Sequence, residues 1–191
     1  MKKSQEVEVK ISVADAAAVR KELRSKRFVI HKPRVFEHNL LLDDEQGSVK
    51  ERNLLLRLRT AGKSITCTFK GRELGGTHKR REEREFHVDD LNECLAVFHG
   101  IGFAPAYSYE KYRTEFVRFG DDKAAEPGVV TLDETPIGIF LELEGPARWI
   151  DRTAKELGYS RMDYITASYA TLYAEWCREY GIESRHMKFA P

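Results

Sequence analysis

The sequence lacks the features that would place it in a membrane, in an oxidising compartment or on nucleic acid. No apolar run in its 191 residues approaches a membrane span, and the opening MKKSQEVEVK has no signal-peptide core. The three cysteines are odd in number and form no CxxC pattern, which predicts neither a disulfide framework nor a zinc site. The net charge of +1 argues against a broad basic surface. We therefore expect a cytoplasmic protein with no membrane and no nucleic-acid partner.

The sequence contains nearly equal numbers of basic and acidic residues, 32 and 31 respectively. It is 33% charged and 41% hydrophobic, which is typical of a soluble globular protein, and its length predicts a single domain over residues 1–191. Its six histidines are scattered without HxH or HExxH spacing, so none is assigned to a site.

Alternation of apolar and polar residues predicts about eight strands, at 5–12, 36–42, 54–60, 64–70, 80–88, 109–118, 128–134 and 138–145. Helical patterns lie at 13–26, 88–102, 146–158 and 164–180, and loops at 43–53, 71–80 and 120–128, the middle loop being the expected flap. Strands outnumber helices, so the expected fold class is α+β, built on a large antiparallel sheet or barrel.

Charged residues alternate along five of these strands. In EVEVK, Glu6, Glu8 and Lys10 share one strand face and the valines share the other. The same pattern recurs at Arg57 and Arg59, at Arg81, Glu83 and Glu85, at Lys111, Arg113 and Glu115, and at Glu142 and Glu144. One such strand usually faces water, but five together favour a barrel whose charged faces line its lumen and whose apolar faces lie under helices.

A lumen of mixed charge is expected to hold a ligand of mixed charge. Carboxylates are the ligands that Mg²⁺ and Mn²⁺ prefer, and Glu6, Glu8, Glu142 and Glu144 offer them, with Asp133 nearby in sequence. Arginine and lysine match phosphate oxygens, which suits Arg57, Arg59, Lys70, Lys111 and Arg113. The sequence therefore predicts a site for a divalent metal and a polyphosphate.

These residues make the chain resemble the CYTH superfamily, also called triphosphate tunnel metalloenzymes. The similar segments, in order, are EVEVK, LRLR, TFKG at 68–71, REERE, KYR at 111–113, LDE at 132–134, ELEG at 142–145 and SYATLY at 168–173. They extend from residue 6 to about residue 173. The resemblance implies a closed eight-stranded antiparallel tunnel, with helices outside, that binds a triphosphate such as tripolyphosphate, ATP or thiamine triphosphate.

Roles implied by the resemblance follow position by position. Glu6, Glu8, Glu142 and Glu144, with Asp133, are expected to bind Mg²⁺ or Mn²⁺, and Arg57, Arg59, Lys70, Lys111 and Arg113 to bind phosphate. Lys10 is expected to contact the substrate or the attacking water, and Glu6, Glu8 and Lys10 form the catalytic set. Arg81, Glu83 and Glu85 are a secondary tunnel face, Ser168 and Tyr169 are gate candidates, and a homodimer fits the relatives.

The resemblance leaves the reaction open. Relatives either hydrolyse triphosphates or, as class IV adenylyl cyclases, convert ATP to cyclic AMP and pyrophosphate; hydrolysis is preferred because it requires less of the site. A non-catalytic polyphosphate-binding module is a third alternative, and an RNA 5′-triphosphate a conceivable substrate. The segment HNLLLDD at 38–44 stands where many relatives have a tyrosine-containing segment, so this chain departs from the family pattern there.

Overall fold

A computed structural model describes residues 4–120, 128–183 and 185–190. Eight antiparallel strands close into a barrel in the order β1-β5-β4-β3-β2-β6-β7-β8. The strands are β1 (Ser4–Val13), β2 (Phe28–Asp43), β3 (Leu55–Ala61), β4 (Ser64–Lys70), β5 (Lys79–Val88), β6 (Ala104–Arg118), β7 (Val129–Thr135) and β8 (Gly138–Glu144). The expected α+β fold with a closed eight-stranded tunnel is confirmed.

In the part of the chain that the structure describes, five α-helices lie around the barrel: α1 (Ala16–Ser25), α2 (Ser48–Glu51), α3 (Leu91–Gly100), α4 (Ala147–Glu156) and α5 (Tyr169–Tyr180). Asp15 and Asp90 cap α1 and α3, since the side chain of each accepts a hydrogen bond from a backbone N–H in the first turn. Among the described residues, no helix has the length and apolar character needed to cross a membrane.

Two strands are longer than the alternation predicted. β2 starts at Phe28 rather than at residue 36, and β6 starts at Ala104 rather than at residue 109. The early part of β2 contains Pro33, and the pairing of β2 with β6 shifts register on both sides of Lys32. A bulge interrupts the period of two, so this half of the strand shows no clean alternation in the sequence.

The predicted helix at 164–180 begins later, at Tyr169. Ser168 caps it by accepting a hydrogen bond from the backbone N–H of Thr171 at 3.1 Å. The preceding residue Ile165 is instead extended, and its N–H and C=O pair with the backbone of Lys10 at 2.8 and 2.9 Å. This pairing fixes the start of α5 beside the lumen strand β1.

The expected loops differ in outcome. The loop at 43–53 contains the short helix α2, and the loop at 71–80 ends where β5 begins at Lys79. Within the second loop, Gly71 donates a backbone hydrogen bond to Glu82 at 2.8 Å and Leu74 donates one to Arg80 at 2.9 Å. The third loop, at 120–128, falls mostly outside the described residues.

The main hydrophobic cluster lies outside the barrel, between the strands and the helices. Val9 and Leu141 point outward from β1 and β8 and are almost fully buried against Leu23 of α1 and Ile150 of α4. This arrangement leaves the opposite, charged face of each strand directed inward, because successive side chains on a strand point to opposite faces.

Gly128 lets α4 pack closely on the barrel. A Cβ atom at this position would lie 2.3 Å from the ring of Trp149, which is itself only 5% exposed. The indole therefore occupies the space that any other residue would need. This contact fixes the helix that directly follows β8, the strand that contains Glu142 and Glu144.

Candidate active site in the barrel lumen

The charged strand faces enclose a cavity of about 530 Å³ inside the barrel. Nine basic and seven acidic side chains line it. They are Lys10, Lys32, Arg57, Arg59, Lys70, Lys79, Arg81, Lys111 and Arg113, with Glu6, Glu8, Glu83, Glu85, Glu115, Glu142 and Glu144. Every residue that the sequence suggested for the site is among them except Asp133, which lies behind the lining.

One group of carboxylates gathers where β1 meets β8. Glu8 is the direct cross-strand neighbour of Glu144, and Glu6 lies one step along the same face. Both β1 carboxylates are paired with lysines: Glu6 accepts from Lys70 at 2.5 and 2.6 Å, and Glu8 accepts from Lys79 at 2.6 Å. Lysine ammonium groups thus neutralise two of the predicted metal ligands.

The pKa values of Glu6 and Glu8 are shifted in opposite directions. Burial, the strongest influence, raises the pKa of Glu6, and the attraction of Lys70 offsets only part of that effect. For Glu8 burial also acts to raise the pKa, but Lys10 and then Lys79 outweigh it and hold the pKa well below its ordinary value. The ionised form of Glu8 is therefore favoured at neutral pH.

Glu144 differs from both because it forms no salt bridge or side-chain hydrogen bond with the described residues. The surrounding protein, and then the charges of Glu6 and Glu8, raise the pKa of Glu144 to about 7. Glu144 is exposed to solvent, so water screens part of its repulsion from Glu6 and Glu8. A cation placed among these three carboxylates would relieve it.

Four of the five predicted phosphate ligands lie on β3 and β6 and form a basic wall, whereas the fifth, Lys70, ends β4 and pairs with Glu6. Arg57 donates to the Tyr109 hydroxyl at 3.4 Å and to Thr68 at 3.2 Å, and Arg59 donates to Glu85 at 3.2 Å. Lys111 is 2% exposed. This wall offers planar guanidinium groups and an ammonium group on one side of the cavity, which is the chemistry that binds phosphate oxygens.

Asp133 anchors this wall. It is fully buried, and its two oxygens accept four hydrogen bonds: one from Lys111 at 2.8 Å, two from Arg113 at 2.7 and 2.6 Å, and one from the Tyr169 hydroxyl at 2.7 Å. Arg113 also pairs with Glu142. The structure thus pairs Asp133 and Glu142 with Arg113, a predicted phosphate ligand, whereas Glu6, Glu8 and Glu144 form a second acidic group farther along β1 and β8.

Lys10 links the two acidic groups. Its ammonium lies 3.4 Å from Glu8 and 3.3 Å from Glu142, and it is 2% exposed. Burial opposes its charge, but these two carboxylates outweigh it and raise the pKa of Lys10. It also lies 5.2 Å from the centre of the Tyr169 ring. A lysine whose charge is favoured by two carboxylates is suited to binding an anion.

Comparison with known proteins agrees with this geometry. A family model for the CYTH domain matches residues 4–169. The chain belongs to the CYTH domain family. A relative from Methanocaldococcus jannaschii, named "putative adenylate cyclase", is 28% identical over 139 residues, which cover 73% of this chain and 75% of the relative.

Solved structures share the CYTH fold at lower identity. A Vibrio parahaemolyticus protein described as a "putative adenylate cyclase" has a TM-score of 0.77 and 18% identity, with 91% of this chain and 99% of that chain covered. A Hippeastrum protein has a TM-score of 0.62 and 16% identity, with 94% and 97% covered. At these identities the likeness shows the fold alone.

The sequence reasoning missed several lining or near-lining residues, among them Lys79, Tyr109 and Glu37. Lys79 precedes the REERE alternation by two positions and shares its inward face, so the spacing could have revealed it. Tyr109 likewise precedes Lys111 by two positions and shares its inward face, so the same spacing could have revealed it. Glu37 faces inward opposite Lys111, but it is an isolated charged residue in a mixed segment that the spacing does not single out.

The residues of the segment HNLLLDD, where this chain departs from many relatives, have different local environments. Leu41 lines the cavity, and fully buried Asn39 has no hydrogen-bond partner for its amide among the described residues. Asp43 accepts backbone hydrogen bonds from Val49 at 2.8 Å and Lys50 at 3.1 Å, at the start of α2. Asp43 therefore serves a structural purpose.

The donor set fits a hard divalent cation. Glu6, Glu8 and Glu144 offer only carboxylate oxygens, and the repulsion on Glu144 is the kind that a metal ion removes. In the described part of the chain, no three such side chains already converge as a complete metal-binding group. Binding would therefore require Lys70 and Lys79 to move away from Glu6 and Glu8, toward the phosphates.

Proposed function

We propose that this protein hydrolyses a triphosphate, inorganic or organic, that is bound in the barrel lumen together with Mg²⁺ or Mn²⁺. The observation that supports it is that one cavity is lined by both kinds of group that a metal–polyphosphate complex needs. Glu6, Glu8 and Glu144 line it from β1 and β8, and Arg57, Arg59, Lys111 and Arg113 line it from β3 and β6. Such a complex would complement the carboxylates and the basic wall at once.

In this proposal the residues act mainly by holding and stabilising charge. The arginines and Lys111 bind the phosphate oxygens and stabilise the charge that shifts to the leaving phosphate when water attacks the terminal phosphorus. Lys10, fixed between Glu8 and Glu142, contributes a further positive charge next to the reacting group. A metal bound by Glu6, Glu8 and Glu144 supplies charge neutralisation and orients the phosphates.

The remaining lining favours a ligand that consists mostly of charge. Sixteen of the 24 lining residues are charged. The two aromatic ones, Tyr109 and Tyr169, are each 6% exposed, and their hydroxyls are engaged with Arg57 and Asp133. Hydrolysis needs only the phosphates to be bound, whereas cyclisation of ATP also needs a place for adenine.

Adenylyl cyclase activity is the second candidate, and the name of the Methanocaldococcus jannaschii relative favours it. In that reaction the ribose 3′-hydroxyl attacks the α-phosphorus and pyrophosphate leaves. Such a name does not separate the two reactions, since the Hippeastrum protein is described as a "putative adenylyl cyclase" with a dominant triphosphatase activity. We also propose a single domain, a homodimer and a cytoplasmic location.

Product analysis distinguishes the candidates. The purified protein is incubated with Mg²⁺ or Mn²⁺ and with tripolyphosphate, ATP or thiamine triphosphate, and the products are resolved by phosphorus NMR. We expect orthophosphate from at least one substrate and none when the metal is chelated. Cyclic AMP without orthophosphate would refute hydrolysis, and binding without turnover of any triphosphate would favour a non-catalytic module.

A further inference from the structure

Glu37 places a carboxylate within the wall that is expected to bind phosphate. It lies on the inward face of β2 and is only 3% exposed. Its oxygens are 3.8 Å from Arg59 Nη1 and 3.6 Å from Lys111 Nζ, and Oε2 accepts no hydrogen bond from the described residues. The carboxylate is thus held by charge rather than by directed hydrogen bonds.

The cations around Glu37 favour its ionised form. Burial opposes ionisation, but Lys111, Arg113, Arg59 and Arg57, in that order, outweigh it and lower the pKa of Glu37 to about 2. The four cations that outweigh the burial are the four predicted phosphate ligands of this wall. Because Arg59 and Lys111 lie 3.8 and 3.6 Å from the carboxylate of Glu37, a phosphate bound by either cation lies near that carboxylate.

A carboxylate in this position weakens the binding of anions. Like charges repel at short range, and a buried pair is screened much less than a pair in water. A wall built only for affinity would have an uncharged residue at position 37. A glutamate at this position suits an enzyme that must release a highly charged product, because product release limits the turnover of many enzymes.

We propose that Glu37 is a product-release residue: a fixed negative charge among Arg57, Arg59, Lys111 and Arg113 that keeps phosphate anions from binding too tightly. The inference rests on the proposed function, because it assigns the basic wall to phosphate. It gives Glu37 a role in the cycle of binding and release, without contact with the reacting atoms.

The test compares E37Q with the wild type in binding inorganic pyrophosphate by calorimetry and in turnover of tripolyphosphate. Glutamine keeps the shape and removes the charge, so we expect pyrophosphate to bind about tenfold or more tightly and kcat to fall as release slows. The matched control is E134Q. Glu134 likewise contacts two arginines, Arg20 and Arg34, but on the outer face of β7, and its loss should leave pyrophosphate affinity unchanged.

Equal or weaker pyrophosphate binding by E37Q would overturn the inference, and so would equal tightening in E134Q. If E37Q alone does not fold, the same comparison is made between K111Q and E37Q/K111Q, where the double variant should bind more tightly than K111Q. Wild-type protein that binds tripolyphosphate without hydrolysing it would contradict the proposed reaction but leave this comparison intact. Wild-type protein that binds neither anion would contradict both.

Discussion

Replacing Asp133 with asparagine tests whether the ion pairs behind the phosphate wall stabilise the barrel. Asp133 is fully buried, and Lys111, Arg113 and Tyr169 donate four hydrogen bonds to it. D133N keeps the shape of the side chain but leaves two buried cations without their shared counter-charge. Removing one partner of a buried pair typically costs about 3–5 kcal/mol.

The lower end of that range applies here, because other carboxylates remain near the cations. Arg113 still contacts Glu142, and Lys111 lies 3.6 Å from Glu37. We therefore expect D133N to lose about 3 kcal/mol of unfolding free energy, which in a protein of this size lowers the thermal midpoint by about 6–12 °C. Urea and thermal denaturation at neutral pH measure both quantities.

The neighbouring residue provides the control. Glu134 is next to Asp133 on β7 but faces outward, where it pairs with the partly exposed Arg20 and Arg34. Exposed pairs contribute about 0–1 kcal/mol, so E134Q should be close to the wild type. If D133N also unfolds within about 1 kcal/mol of the wild type, the network does not stabilise the barrel and our reasoning is wrong.

The pH dependence of stability follows from the same network. Burial opposes ionisation of Asp133, but Arg113 and then Lys111 outweigh it and lower its pKa below the ordinary 3.8. A lowered pKa in the folded state means that this stabilisation is present above the ordinary value and is lost as pH falls through the lowered one. The unfolding free energy of D133N should therefore decline less in acid than that of the wild type.

Two further predictions concern metal binding and helix packing. Because the pKa of Glu144 is raised to about 7, this residue must lose its proton when metal binds. Mn²⁺ affinity measured by calorimetry should therefore rise between about pH 6 and pH 8. E144Q should flatten this dependence, and an unchanged slope would count against Glu144 as a ligand. G128A would place a Cβ 2.3 Å from the Trp149 ring. We therefore expect the unfolding free energy, measured by denaturation, to fall by about 1–3 kcal/mol, and the near-ultraviolet circular dichroism signal of the tryptophan to change. A G128A variant with unchanged stability and signal would mean that α4 does not pack as described.

The sequence predicts the barrel well because the period of two persists along the lumen strands. In EVEVK the alternation of glutamate and lysine with valine specifies both the strand and its inward face, and the structure agrees. The first half of β2 could not be predicted in this way. There, register shifts beside Lys32 break the alternation, and Pro33 is unusual within a strand.

The sequence was sufficient to predict which residues form the candidate site, but not which cation pairs with which carboxylate. Alternation places Asp133 on the lumen side with Glu142, which is compatible with a metal ligand. Only the three-dimensional register reveals that Lys111 and Arg113 surround Asp133. Which cation neutralises which carboxylate depends on strand order and side-chain conformation, and neither is encoded by local spacing.

The central claim is that carboxylates of β1 bind the metal on which triphosphate turnover depends. The most direct measurement is orthophosphate release from tripolyphosphate in Mn²⁺ by the wild type and by E6Q/E8Q, with tripolyphosphate binding measured in parallel without metal. We predict that the double variant loses turnover, because both ligands lose their charge, while it still binds tripolyphosphate through the basic wall. Turnover at the wild-type rate by E6Q/E8Q would contradict the account.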